Sequence, residues 1–410
     1  MPAPPFLFDA VVFDLDGTLV ATDRFWIDAA RIGARRAFAE LGLERPLPSA
    51  AEWMSLVGLP LAQGFARLFP ELDAVQRARV QAACEEEEHR VLRAGGAALL
   101  PGVAETLEDL HARGVCLGIA SNCGASYLAS MMGDLGLERW IDEARCLDSP
   151  GIRSKADMVA DLLRAFGTRA TVMVGDRLGD RDAAWANGIP HVHLARGFAP
   201  AGEDVEAEAT IETMLDLVPR LEQRTRWIEG ALEWLDVDLE SPPRSIGVTG
   251  PPGAGKSLFA RDVARILAAR GRTAVVVALD DHALASAERD LSSTAFVAGA
   301  RPLDVLGHAY DVDGLVARIA NLPAGTTAVV HGPFLTHPAL RSHIARIVHL
   351  EVDDSTSLRR LAGRDVRAHG PESLLLLRRH LLPASRAFDL AVPPRERADL
   401  VLDARNPLGV

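Results

Sequence analysis

Twice along this chain, short β-branched and apolar runs alternate with stretches of helical period, and that alternation restricts the fold more than any other feature. The first series contains FDAVVFDLD (8–16), VCLGIASN (115–122) and TVMVGD (171–176), with helical patterns such as GVAETLEDLHARG (102–114) and SKADMVADLLRAFG (154–167) between them. A second series opens with RSIGVTG at Arg244 and continues through AVVVALDD (274–281), TAVVHGPF (327–334), ARIVHLEVD (345–353) and ADLVLD (398–403). Strands joined through helices pair in parallel and are covered on both faces, with ligands bound beyond their carboxyl ends. The prediction is an α/β protein of two tandem domains. At 410 residues and 48% hydrophobic, the chain is long enough to bury two cores.

The segment at about 20–98 breaks the alternation. AARIGARRAFAELG, AQGFARLF and VQRARVQAACEEEEHRVLRAGG carry helical period and almost no strand signal, so the segment reads as a helical insertion above the strand ends. EEEEH (85–89) within it reads as a solvated helix face. Three regions follow: 1–215, a helical linker at 216–243 ending in SPP, and 244–410. Residues 244–410 carry 21 basic and 17 acidic side chains, while 1–243 carry 23 and 39. The whole-chain balance, net −12, argues against binding nucleic acid or an anionic membrane through charge alone, and the second region by itself leans mildly towards anionic ligands. The chain opens without the basic and apolar pattern of a signal peptide and holds no apolar run of membrane-spanning length. Cys84, Cys116, Cys123 and Cys146 have no CxxC spacing and read as reduced thiols, so a cytoplasmic location is expected. Of the 44 basic residues, only Lys155 and Lys256 are lysine.

Four polar motifs stand where first-half strands end or helices begin. The first is Asp14-Leu15-Asp16-Gly17-Thr18, at the end of the first strand, where carboxylates at i and i+2 point the same way and can both face one ligand at the sheet edge. The others are Ser121-Asn122, Lys155 in Ser154-Lys155-Ala156-Asp157, and Gly175-Asp176-Arg177-Leu178-Gly179-Asp180. Together, over about residues 7–210, they resemble the haloacid dehalogenase superfamily, in its phosphoglycolate phosphatase-like branch with a helical cap. The resemblance implies a Rossmann-like core and assigns roles to the motif residues. Asp14 would be the nucleophile that takes a phosphoryl group, and Asp16 the acid that protonates the leaving oxygen and then the base for water. Ser121 would hold a phosphoryl oxygen and Lys155 would offset its charge. Mg²⁺ would be bound by Asp14, Asp16 and Asp176, with Asp180 in support. The lysine motif departs from the commoner KPxP form. Dehalogenase members lack the second aspartate, so its presence points to an oxygen leaving group.

In the second half, Gly250-Pro251-Pro252-Gly253-Ala254-Gly255-Lys256-Ser257 lies between a strand and an apolar-periodic helix. This is GxxxxGKS in its required context. Backbone N–H groups of Gly250, Gly253, Ala254 and Gly255 would wrap phosphates, Lys256 would reach the β- and γ-phosphates of ATP, and Ser257 would ligate Mg²⁺. Asp280 and Asp281 follow the next strand, and the run Leu358-Arg359-Arg360-Leu361-Ala362-Gly363-Arg364 comes later. Over about 244–406 this order resembles uridine kinase and its relatives, the phosphoribulokinase and pantothenate kinase group, a P-loop NTPase-type parallel sheet. The resemblance makes Asp280, or alternatively Asp281, the base for an acceptor hydroxyl, and Arg359, Arg360 and Arg364 a lid over the transferring phosphate. Relatives carry an acidic residue where this chain has His331.

The expectation is a bifunctional enzyme: a Mg²⁺-dependent phosphatase of a small phosphate monoester joined to an ATP-dependent kinase of a small-molecule hydroxyl. Two alternatives stand beside it. A polynucleotide kinase-phosphatase would need a basic groove, and a sensor protein would use one domain to regulate the other.

Overall fold

The structure is a computed structural model and describes residues 5–200, 202–284, 303, 305–366, 370, 372–376, 378–379 and 382–409. Two compact units divide it. The N-terminal unit is Phe8–Arg220. The C-terminal unit is Leu221–Val410 together with the residues up to Leu7.

The N-terminal unit is built on β1 (Ala10–Phe13), β2 (Cys116–Ala120), β3 (Glu143–Arg145), β4 (Thr171–Gly175), β5 (His191–Leu194) and β6 (Ala209–Ile211). They form one parallel sheet in the order β3-β2-β1-β4-β5-β6. β1 and β4 are buried along their whole lengths, which explains why they read as continuous apolar runs. Between β1 and β2 come α1 (Trp26–Glu40), α2 (Ala50–Met54), α3 (Leu61–Leu68), α4 (Ala74–Arg93) and α5 (Val103–Ala112). α6 (Ala125–Asp134), α7 (Lys155–Phe166) and α8 (Leu178–Trp185) connect the later strands.

Local chemistry starts the insertion's helices. Capping boxes open α2 at Ser49 and Glu52, and α4 at Asp73 and Gln76. Trp53 is fully buried among Phe65 and Phe69, with ring centroids 6.2 and 5.9 Å away. One expectation fails here. EEEEH is not a solvated face, because α4 packs along α1 and its period turns Val80, Cys84, Glu87 and Glu88 inward. Glu87 is stabilised by Arg36 at 3.0 Å and Arg90 at 2.7 Å.

The C-terminal unit contains α9 (Leu217–Trp234, mostly within it), β7 (Ser245–Thr249), α10 (Lys256–Ala269), β8 (Thr273–Ala278), β9 (Thr326–His331), β10 (Arg346–Glu351) and β11 (Leu400–Asp403). The strands form a parallel sheet in the order β11-β10-β7-β9-β8. β7 therefore lies at the point where the connections diverge to opposite sides, the place where open α/β sheets bind ligands. α9, in the segment read as a linker, contributes Ile228, Ala231 and Leu232 to a core shared with Ile246, Phe259 and Leu7. Both units are thus α/β with parallel sheets, as expected. No helix among the described residues is long and apolar enough to cross a membrane.

Candidate active sites

In the N-terminal unit, β1 ends at Phe13, so Asp14 and Asp16 stand in the turn beyond it rather than on the strand. That turn separates their carboxylates into different surroundings. Gly17 permits it, with φ +81°, and a Cβ there would come 2.6 Å from an Asp176 oxygen.

Asp14 is buried beside Asp176, which follows β4, and Asp180, in the first turn of α8. One oxygen from each of the three lies within 4.8 Å of the others, a spacing that could hold a metal ion. Lys155 is the first residue of α7, whose start is capped by Ser154. Its Nζ lies 2.8 Å from Asp14 Oδ1 and 2.7 Å from Asp180 Oδ1. Asp176 also accepts from Thr18 Oγ1 at 3.3 Å and from the Phe198 amide. One ammonium thus faces three carboxylates in a water-poor site. Burial, followed by repulsion from Asp180, raises the Asp14 carboxyl well above its ordinary range and pushes Asp176 up to about 7. Asp14 Oδ2 has no hydrogen-bond partner despite being buried. Three buried carboxylates that face one ammonium suit a hard divalent cation such as Mg²⁺. Asp16, expected among the metal ligands, has its carboxyl outside this cluster.

Asp16 instead faces a cavity of about 420 Å³. Its Oδ1 accepts from Tyr127 Oη at 2.5 Å and Thr22 Oγ1 at 2.7 Å. Burial raises its pKa, and the two hydroxyl donors hold that rise back. Ser121, just past β2, also lines the cavity, and neighbouring Asn122 donates to the Gly58 carbonyl at 2.9 Å. The structure thus collects Asp14, Lys155, Asp176 and Asp180 around one point, and Asp16 and Ser121 on the adjoining cavity. Tyr127, Thr22 and Glu88 also belong to it, and sequence reading missed all three. One signal was available for Tyr127, since the chain has only two tyrosines.

The second candidate site lies at the carboxyl end of β7. Gly250 has φ +141°, and a Cβ on it would approach the Leu350 carbonyl to 2.3 Å, so the close passage of two backbones demands glycine. Gly255 caps α10 in a left-handed conformation, and Gly253 and Ala254 complete the turn. Lys256 Nζ reaches back across the loop to the Pro251 carbonyl at 2.8 Å. Ser257 Oγ lies 3.5 Å from Nδ1 of His331, the last residue of β9. Asp280 and Asp281 occupy the turn Leu279–His282 after β8. Asp280 accepts from Tyr310 Oη at 3.3 Å, and Asp281 lies 3.5 Å from Arg318. Burial lowers the His331 pKa, while Asp280 opposes that shift.

Arg359 and Arg360 lie on the helix Asp354–Leu361. Arg360 donates to the Gly253 carbonyl at 3.1 Å and to Ala404 and Arg405 carbonyls at 3.0 and 2.6 Å, bracing the loop from behind. The backbone of Arg364 continues as a π-turn, and its side chain lies outside the described residues.

Comparison with known proteins bears on the first site. Residues 11–194 match the family model described as haloacid dehalogenase-like hydrolase. The chain is 27% identical over 236 residues to a phosphoglycolate phosphatase of Salmonella typhimurium, covering 52% of this chain and 91% of that protein. It is 27% identical over 223 residues to the tyrosine-protein kinase PtkA of Mycobacterium tuberculosis, covering 52% and 71%. Among solved structures, a predicted phosphoglycolate phosphatase from Haemophilus somnus aligns with a TM-score of 0.47 at 22% identity, covering 52% of this chain and 97% of that one. A haloacid dehalogenase-like protein from Streptococcus pneumoniae aligns with a TM-score of 0.45 at 24% identity, also covering 52% and 97%. The family match thus lies within the N-terminal unit, which holds the first site.

Proposed function

We propose that the N-terminal unit is a Mg²⁺-dependent phosphatase of a small phosphate monoester and the C-terminal unit an ATP-dependent kinase of a small-molecule hydroxyl. The observation that carries the first half is the unpartnered Oδ2 of buried Asp14 beside Lys155. Its lone pair attacks phosphorus, and the P–O bond to the leaving group breaks as Asp16 gives that oxygen a proton. Water then attacks the phosphorus of the aspartyl phosphate, Asp16, now ionised, takes the water's proton, and the P–O bond to Asp14 breaks to release phosphate and restore the carboxylate. Lys155 and the Ser121 hydroxyl offset charge on the transferring group. Asp14, Asp176 and Asp180 would hold Mg²⁺, which when bound neutralises their mutual repulsion and the charge of the phosphate.

The kinase reading is supported by the glycine loop between β7 and α10, its place at the divergence of the sheet connections, and Asp280 near the β9 edge. The loop amides and Lys256 would bind the ATP phosphates, and Ser257 would ligate Mg²⁺. Asp280 would take the acceptor's proton, and its Tyr310 bond favours it over Asp281, which is paired with Arg318. Arg359 and Arg364 would clamp the phosphate.

Separate variants test the two halves. Asp14→Asn should lower phosphate release at least a thousandfold and leave ATP consumption intact, while Lys256→Ala should do the reverse. Loss of both reactions in either variant would favour one active site with a regulatory partner domain.

A further inference from the structure

The cavity beside Asp16 has a mixed lining: Trp26, Leu56 and Leu61 are apolar, while Glu85 and Glu88 of α4 and Asp148 after β3 are acidic. No lysine or arginine is among the described residues that line it. The site's buried ammonium, Lys155, is held between Asp14 and Asp180. Arg177, which packs against Gly58, is bound to Glu203 and the Val57 carbonyl.

Two of the three acidic groups are already satisfied. Glu85 accepts from Gln81 at 2.8 Å and Asp148 from the Ala125 amide at 2.8 Å. Glu88 is different. It is only 6% exposed, lines the cavity, and has no hydrogen-bond or ion-pair partner among the described residues. A buried carboxyl without a partner is costly, and one facing a ligand cavity gains its partner when the ligand enters.

We propose that Glu88 selects the leaving group, and that the substrate is a phosphate monoester of an alcohol bearing a cationic nitrogen. The inference rests on the phosphatase reading above. An ammonium placed beside Glu88, with Glu85 and Asp148 near, is stabilised in a space that water enters poorly. A leaving group with a carboxylate meets Glu85, Glu88 and Asp148 there and finds no guanidinium or ammonium among the described lining residues; the lining's imidazole, His89, is held to Ser126 Oγ at 3.2 Å. Burial, then Asp16 and Glu85, raise the Glu88 pKa well above its usual range, a rise that a cation placed beside it would oppose. On this reading phosphoglycolate, the substrate named for several relatives, is a poor fit.

A matched set of two-carbon esters tests this: phosphoethanolamine, 2-hydroxyethyl phosphate and phosphoglycolate, with leaving groups that are cationic, neutral and anionic. Each is measured as a competitor of p-nitrophenyl phosphate hydrolysis in Mg²⁺, so that slow turnover still yields a binding constant. The expected order of affinity is cationic, neutral, anionic, with at least tenfold between the ends. Glu88→Gln should bring phosphoethanolamine and 2-hydroxyethyl phosphate within about threefold of each other, and Glu88→Asp should restore part of the gap. A flat or reversed order in the unaltered protein overturns the inference, whether or not the variants fold. If p-nitrophenyl phosphate itself is not hydrolysed, the phosphatase reading has failed and this inference falls with it.

Discussion

Asp14 and Asp16 stand two positions apart, and what each can do is set by different neighbours. Asp14 keeps one oxygen on Lys155 and one free, the arrangement of a nucleophile. Asp16 has an oxygen fixed by Tyr127 and Thr22, the arrangement of an oriented acid. Hydroxyl donors favour the carboxylate, so Tyr127→Phe should raise the Asp16 pKa further. The free enzyme needs Asp16 protonated for the first step, so the basic limb of the kcat/KM profile should move up by about 0.5–1 pH unit. An unmoved or downward limb would remove Tyr127 from this role. Asp176 gives a second pH effect. Its carboxyl stands at about 7, so below that pH a proton competes with any cation at the triad. Mg²⁺ affinity of the resting protein, measured by calorimetry, should fall by up to about tenfold per pH unit below 7 and level off above it. A flat profile from pH 5.5 to 8.5 would mean that Asp176 is not a ligand. Each of the chain's two tyrosines donates to an aspartate proposed to move a proton, Asp16 and Asp280.

At the scale of elements, the strands were legible because fully buried parallel strands must be continuous apolar runs, as in AVVF of β1 and TVMVG of β4. Their ends were less so. AVVVALDD turns at Leu279 into a short 3₁₀ helix, and Asp14 and Asp16 leave the strand that appeared to carry them. The motif residues of the first site were readable because each sits at a strand end or a helix start. Tyr127 was not, since 111 residues separate it from Asp16 and no local spacing connects them. Glu88 was hidden inside a charged run whose burial depends on how α4 meets α1. α9 was obscured in the same way, because its polar composition includes Arg224, which is buried. Arg224 pairs at 2.7 Å with Asp262 of α10, a side chain with no exposed surface that also holds Arg261. Asp262→Ala would leave Arg224 buried and uncompensated, costing about 3 kcal/mol in urea unfolding of the C-terminal unit. The pair Arg224→Met and Asp262→Leu together should recover most of that loss, since an apolar pair leaves no buried charge behind. If the single variant costs under about 1 kcal/mol, α9 is held to the unit by its apolar face alone.

Residues 5–7, ahead of β1, belong to the C-terminal unit. Leu7 is 1% exposed in a core made otherwise by α9, α10 and the second sheet. Its carbonyl accepts from Arg261 at 2.6 Å, the Phe6 carbonyl from Arg265 at 2.9 Å, and the Pro5 carbonyl from Thr225 at 2.9 Å. Ala10, three residues further on, begins the central strand of the other unit. The C-terminal unit is therefore closed by chain from both sides of the N-terminal unit's sequence. Neighbouring positions should then respond oppositely to substitution. Leu7→Ala removes a buried side chain and should cost the C-terminal unit about 2–5 kcal/mol. Amide hydrogen exchange should rise in β7 and α10 and stay unchanged in β1, β2 and β4. Phosphate release should persist under conditions where ATP consumption has been lost. Faster exchange in β1 instead of β7 would place Leu7 with the strand it precedes and break this assignment.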